Sequence, residues 1–210
     1  MEKKERKIIL SIVSLFVFIL LSILVVLKKI SIDYSISDLV VKMWNPTING
    51  FFIFLGEYSQ MIMTGIAIGV SIFLYLSSKG HEQKRRKQAL IFVFTLIMGH
   101  VLKEIIKSVV QRSRPANQLF QETGYSFPSG HAVFSIILFS MLIYFYKDEI
   151  KNNTRKIVFI SVGVFLIFLI GFSRIYLNVH WLTDVVGGYA LGFFLVNLGI
   201  LLLENKNVHK

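Results

Sequence analysis

The 210-residue chain contains no cysteine. Disulfides, thiolate metal sites and a cysteine nucleophile are therefore excluded, although the compartment is not fixed by that absence. No cluster of carboxylates offers a cage for a hard cation. Internal repeats, low-complexity tracts and interdomain linkers are also missing, which favours a single domain over residues 1–210. Acidic residues are few: 12 against 23 Lys and Arg, for a formal net charge of +11. A surplus of that size can signal nucleic acid, but the basic residues sit in short loops between apolar runs. They report topology before they report a partner, and no nucleic acid is expected. Apolar residues, in contrast, are abundant. They make up 54% of the chain, aromatics 14%, and the mean hydropathy is +0.65. A soluble domain of this length needs less, so the excess points to lipid as a second apolar solvent.

Six apolar segments carry that excess. Ile8 to Leu27 is uncharged and of spanning length. Its basic start resembles a signal peptide, but the run is longer than the usual apolar region and no A-x-A-like cleavage site follows, so it is expected to stay as a helix. Lys28 to Gly50 reads as a loop, with Asn45-Pro46 as a turn or helix start. Glu57 argues against a continuous span from Phe51, which places the second span at about Ser59 to Leu76. Further spans are expected at Ala89 to Ile106, His131 to Tyr146, Ile157 to Phe172 and Asp184 to Leu203. Lys107 to Gly130 and Ser173 to Thr183 read as polar loops. The expected fold is an all-α integral membrane bundle of six transmembrane helices.

Charge sets its orientation. The N-terminus, second loop, fourth loop and tail hold 15 Lys and Arg, against 7 in the other loops. By the positive-inside rule both termini are cytoplasmic. The first, third and fifth loops then share the extracytoplasmic side.

Three of the seven are Lys107, Arg114 and Arg174, and they fall within ordered motifs. Lys107 and Arg114-Pro115 bring positive donors suited to phosphate oxygens, and the proline favours extended backbone at Arg114. Taken alone, Lys107 fits a headgroup-level lysine equally well. Pro128-Ser129-Gly130-His131 opens the fourth span. A helix start offers unpaired N–H groups to an anion, Gly130 allows close approach, and Ser129 can donate a hydroxyl or simply cap the helix. His180 and Asp184 are spaced i, i+4 and share a helix face if the sixth helix begins near His180. A carboxylate on one ring nitrogen frees the other as a nucleophile. Three cations, two histidines and one carboxylate suit charge-clamped phosphoryl transfer at a membrane surface.

In order and spacing, these stretches match KxxxxxxRP, PSGH and SRxxxxxHxxxD. The chain thereby resembles the type 2 phosphatidic acid phosphatase family, and every signature position is filled. Soluble vanadium haloperoxidases share the motifs, but the apolar spans argue against that branch. The short chain resembles bacterial-type members acting on phosphatidylglycerol phosphate, phosphatidic acid or undecaprenyl diphosphate. The resemblance implies a lipid phosphate substrate within the bilayer of a bacterial or archaeal cell membrane, an extracytoplasmic site, and neither metal nor other cofactor. It implies His180 as nucleophile, Asp184 as its orienting carboxylate, and His131 as acid and then base. Lys107, Arg114, Arg174, Ser129 and Gly130 would hold the phosphoryl oxygens. A phosphotransferase, a non-catalytic phosphate-binding membrane protein, and a phosphatase for small soluble esters are the alternatives.

His100, Lys103 and Lys107 form one helical stripe that could face the site. Pairing of Lys103 with Glu104 at headgroup level is the preferred reading. Trp44, Tyr125, Tyr176 and Trp181 read as an interfacial aromatic belt. His81 and His209 receive no role.

Overall fold

A computed structural model describes residues 3–28, 30–78 and 83–204. His81 and His209 lie outside them. The described residues form seven helices and no strand: α1 (Lys3–Val26), α2 (Ser31–Lys42), α3 (Pro46–Leu76), α4 (Gln83–Val110), α5 (Gly130–Tyr146), α6 (Asn153–Tyr176) and α7 (Leu182–Glu204). Five of them, α1, α3, α4, α6 and α7, are long and apolar enough to cross a bilayer. The sixth apolar helix, α5, has 17 residues.

The outer helices carry their large apolar side chains outward. Ile12, Phe16, Met61, Phe165 and Phe168 are all more than half exposed. Such a surface suits hydrocarbon and not water. Helix α7 is the most buried of the long helices, and α1 and α5 are its main neighbours. Two glycines let α5 come close. A Cβ at Gly188 would stand 2.7 Å from the Ser129 carbonyl oxygen, and one at Gly192 would stand 2.9 Å from that of Val133. Small residues permit this kind of approach between membrane helices. The obstacle at Gly188 is backbone, so Gly188→Ala is expected to cost about 1–3 kcal/mol of stability. Thermal unfolding in detergent would read the loss.

Two expected segments differ. The stretch expected as a loop, Lys28 to Gly50, contains α2. This helix is held through fully buried Asp33, whose carboxylate bonds Arg112 and Thr183, distant in sequence and absent from any local pattern. Helix α3 runs unbroken from Pro46 through Glu57 to Leu76. Asn45 caps it by accepting from the Thr47 N–H at 2.9 Å, and Pro46 occupies its first turn. An exposed carboxylate on a helix side leaves the backbone ladder intact, so Glu57 does not interrupt it. The other helices also extend beyond their apolar runs. Lys107 and Arg174 therefore sit in the last turns of α4 and α6, not in loops.

The aromatic residues do more than line an interface. Trp44 Nε1 donates to the Tyr176 carbonyl at 2.9 Å, and Tyr176 Oη donates to Asn49 Oδ1 at 2.8 Å. Trp181 Nε1 donates to the Ser113 carbonyl at 2.9 Å. Tyr125 alone of the four is exposed.

Candidate active site

One end of the bundle collects every motif residue: the ends of α4 and α6, the starts of α5 and α7, and the loops between them. Helix α5 is registered on α7 by the Ser129 N–H, which donates to the Asp184 carbonyl at 3.0 Å. The second motif is thus set directly against the third.

His180 lies two residues before α7, and Asp184 lies in that helix's first turn. Both are buried. His180 Nδ1 is 3.4 Å from Asp184 Oδ2, which also accepts from the Trp181 N–H at 2.9 Å. On the opposite side of the ring, His180 Nε2 is 3.3 Å from Arg114 Nη1. A proton on Nδ1 facing the carboxylate leaves the Nε2 lone pair pointing at a cation, where an anionic substrate would be drawn. Burial, with Arg114 and Arg174 nearby, pushes the His180 imidazole well below its ordinary value. That shift favours the neutral ring at neutral pH. The sign for stability follows. The unfolded imidazole takes up its proton near pH 6.5 while the folded one resists, so this contribution is present above that pH and declines below it. The thermal midpoint should fall as pH drops below about 6.5, with a shallower fall in His180→Gln.

The cations are held by backbone carbonyls. Arg114 Nη1 donates to the Val179 carbonyl at 2.7 Å and Nε to the Gly124 carbonyl at 3.1 Å. Arg174 is fully buried, and its Nη1 donates to the Gly56 carbonyl of α3 at 3.2 Å. A cavity of about 590 Å³ adjoins these groups, and its walls include Lys107, Gly130, His131 and His180. Around this site, the Ser129 hydroxyl, His131 Nε2 and Arg174 Nε are buried without a hydrogen-bond partner. Unsatisfied buried polar atoms are costly; of these three residues His131 lines the cavity, beside Lys107 and His180, and suits a polar ligand there. The cavity continues toward the bundle interior along Leu96, Val133, Phe134 and Ile137. It could take the start of an apolar tail.

His100 and Lys103 also line this cavity, as their stripe with Lys107 allowed, and Lys103 pairs with Glu104 as well. Both readings of that stripe therefore hold in part.

Glu122, Arg112 and Asp33 carry no motif signal. Glu122 bridges two of the expected phosphate cations, contacting Arg174 through Oε1 and Arg114 Nη2 through Oε2 at 3.1 Å. Any phosphate engaging both guanidiniums must compete with this carboxylate. Glu122→Gln is expected to tighten inhibition by inorganic phosphate by a few-fold, under about 1 kcal/mol given the partial exposure of Glu122. A phosphate titration of initial rates would measure it. Arg112 lies between Lys107 and Arg114, where only its charge was visible. It donates to Asp184 Oδ1 at 2.6 Å and to Asp33 Oδ2 at 2.6 Å.

A superfamily profile described as PAP2 superfamily matches residues 88–207, more than half of the chain. Phosphatidylglycerophosphatase B of Bacillus subtilis is 31% identical over 88% of this chain and 92% of its own. Undecaprenyl-diphosphatase of Sulfolobus acidocaldarius is 27% identical over 93% and 92%. The crystal structure of a transmembrane PAP2-type phosphatidylglycerolphosphate phosphatase from Bacillus subtilis superposes with a TM-score of 0.75. At 24% identity it covers 90% of this chain and 94% of that one, and it speaks for the fold. The chain belongs to the PAP2 superfamily. It is an integral membrane hydrolase of lipid phosphate esters.

Proposed function

We propose that this protein removes a terminal phosphoryl group from a membrane lipid at the extracytoplasmic face, without a metal, through a phosphohistidine at His180. The observation that carries the reading is the His180 ring, with Asp184 on Nδ1 and the Arg114 guanidinium beside Nε2.

In the first step the Nε2 lone pair attacks phosphorus and the bond to the leaving oxygen breaks, while His131 gives that oxygen a proton. In the second step His131 takes a proton from water as the water oxygen attacks phosphorus. The P–N bond breaks, its electron pair returns to Nε2, and inorganic phosphate leaves. Asp184 stabilises the charge that develops on His180. Lys107, Arg114, Arg174, the Ser129 hydroxyl and the Gly130 N–H hold the equatorial oxygens and stabilise the transition state.

In this reading α5 is the sixth span and the chain is one domain. Seventeen residues rise about 25 Å at 1.5 Å per residue, close to the hydrocarbon thickness of a bilayer. Helix α2 lies at the interface, and the Lys and Arg distribution puts both termini in the cytoplasm. The names of the two relatives favour phosphatidylglycerol phosphate and polyprenyl diphosphate; phosphatidic acid is the third candidate.

The test is phosphate release by purified protein in detergent with chelator present. Undecaprenyl diphosphate, phosphatidylglycerol phosphate, phosphatidic acid and a soluble ester would be offered side by side. Chelator-resistant release on a lipid is expected, and the fastest lipid identifies the substrate class. Transfer of phosphate to an added alcohol without free phosphate would point to a transferase. Binding without turnover on every substrate would overturn the enzymatic reading.

A further inference from the structure

Asp33 is a fully buried carboxylate on a helix that no motif marks. Its Oδ1 accepts from the Thr183 N–H at 3.0 Å. Its Oδ2 accepts from the Thr183 hydroxyl at 2.6 Å and from Arg112 Nη2 at 2.6 Å. Arg112 Nη1 donates to the Thr183 hydroxyl at 2.7 Å and to Asp184 Oδ1 at 2.6 Å. The Arg112 guanidinium also lies over the Trp181 ring, 5.3 Å from its centroid. One planar cation is thus shared between two fully buried carboxylates, and one of those carboxylates faces His180.

We infer that Asp33 and Arg112 are positioning residues, an ionic bridge from α2 that fixes Asp184 and thereby the tautomer and aim of His180. The inference rests on the phosphohistidine reading of His180.

Geometry separates this from simple docking of α2. Asp184 has two oxygens with different tasks. Oδ1 faces Arg112, while Oδ2 accepts from the Trp181 N–H and meets the imidazole. With Nη2 held by Asp33, Arg112 presents only Nη1 to Asp184. Without Asp33 the guanidinium is free to take both Asp184 oxygens in the bidentate geometry it prefers, in competition with His180 for Oδ2. Without Arg112, two buried carboxylates share one pocket with no cation between them, a costly arrangement. Outer groups that orient metal-ligating side chains typically change affinity or activity by about 10- to 100-fold, and a similar scale is expected for groups that orient Asp184. Helix α2 would thereby belong to the catalytic apparatus while presenting Ile32, Tyr34 and Leu39, all exposed, to its surroundings.

The experiment measures kcat and KM on phosphatidylglycerol phosphate in detergent micelles, with the thermal midpoint of each variant. Asp33→Asn, Arg112→Lys and Arg112→Ala are compared with wild type and with His180→Ala. Asp33→Asn and Arg112→Lys are expected to lose about 10- to 100-fold in kcat with KM within about threefold. A lysine keeps the charge but cannot span both carboxylates. Free guanidinium at concentrations harmless to wild type should restore part of the kcat of Arg112→Ala, a response that a purely structural role would not give. Wild-type kcat in folded Asp33→Asn, with only a lowered midpoint, would overturn the inference. If Asp33→Asn does not fold, Arg112→Lys and the guanidinium response decide in the same way. His180→Ala separates the two readings: if it keeps activity, the phosphohistidine reading fails. If it is inactive while the Asp33 and Arg112 variants turn over normally, only the positioning role fails.

Discussion

His180→Ala is expected to lose at least about 10⁴-fold in kcat, the scale on which removal of a nucleophile or its base acts in hydrolases. Its partner variant should behave differently. His131 has two tasks in the proposed cycle, protonating the leaving oxygen and later activating water. An activated aryl phosphate leaves without a proton, so His131→Ala should still be phosphorylated by it at an appreciable rate. The second step has no substitute base, and the phosphoenzyme should accumulate. Rapid acid quench would destroy a phosphohistidine, so the trapped species is best read by intact-protein mass at alkaline pH. Mass gain in His131→Ala and none in the His131→Ala, His180→Ala double variant would fix the order of events. Equal labelling in both would place the covalent bond elsewhere.

Asp184→Asn is the second large effect. The amide nearly preserves shape, yet it cannot accept equally through both former oxygens. If its nitrogen faces Arg112, two donors oppose each other at the place of a 2.6 Å bond. If its nitrogen faces His180, it favours the tautomer with the proton on Nε2, and the nucleophilic lone pair is lost. In the first case the hold of Arg112 on this side chain is lost, and in the second the imidazole is left in the wrong tautomer. Replacing the equivalent carboxylate of a Ser-His-Asp triad lowers kcat by about 10⁴-fold. A loss of about 10²- to 10⁴-fold is expected here, with little change in KM. A KM effect of similar size would assign Asp184 to substrate binding instead.

The motif residues that the fold brings together were legible because the chemistry proposed for them constrains their types and spacing. Lys107, Arg114, Ser129, Gly130, His131, Arg174, His180 and Asp184 converge at one end of the bundle. The long apolar runs were legible because a bilayer demands length. Asp33 was not, since one aspartate in a polar stretch between apolar runs looks like any solvated loop residue. Its meaning lies in Thr183, 150 residues away. Arg112 was hidden by its neighbours, because in a basic loop each charge reads as topology. Glu57 is the opposite case: its local polarity suggests a break, whereas helix continuity depends on backbone bonds and caps. Glu122 could not be placed because its bridge to Arg114 and Arg174 joins three separate stretches. Residues defined by reaction chemistry show in one dimension; those defined by closure of the fold do not.

Helix α1 lies chiefly against α7, and Lys7 pairs with Glu204 across 197 residues. Synthesis runs in one direction, so α1, made before α7, must wait in the membrane for it. His180 and Asp184 also arrive late, after Lys107, Arg114, His131 and Arg174. Until α7 emerges, the growing chain holds Lys107, Arg114 and His131 without the proposed nucleophile beside them. On the proposed mechanism, hydrolytic power arises only once these two residues have been made. A ribosome stalled before α7 would leave an inert set of helices in the membrane, not a partly active enzyme.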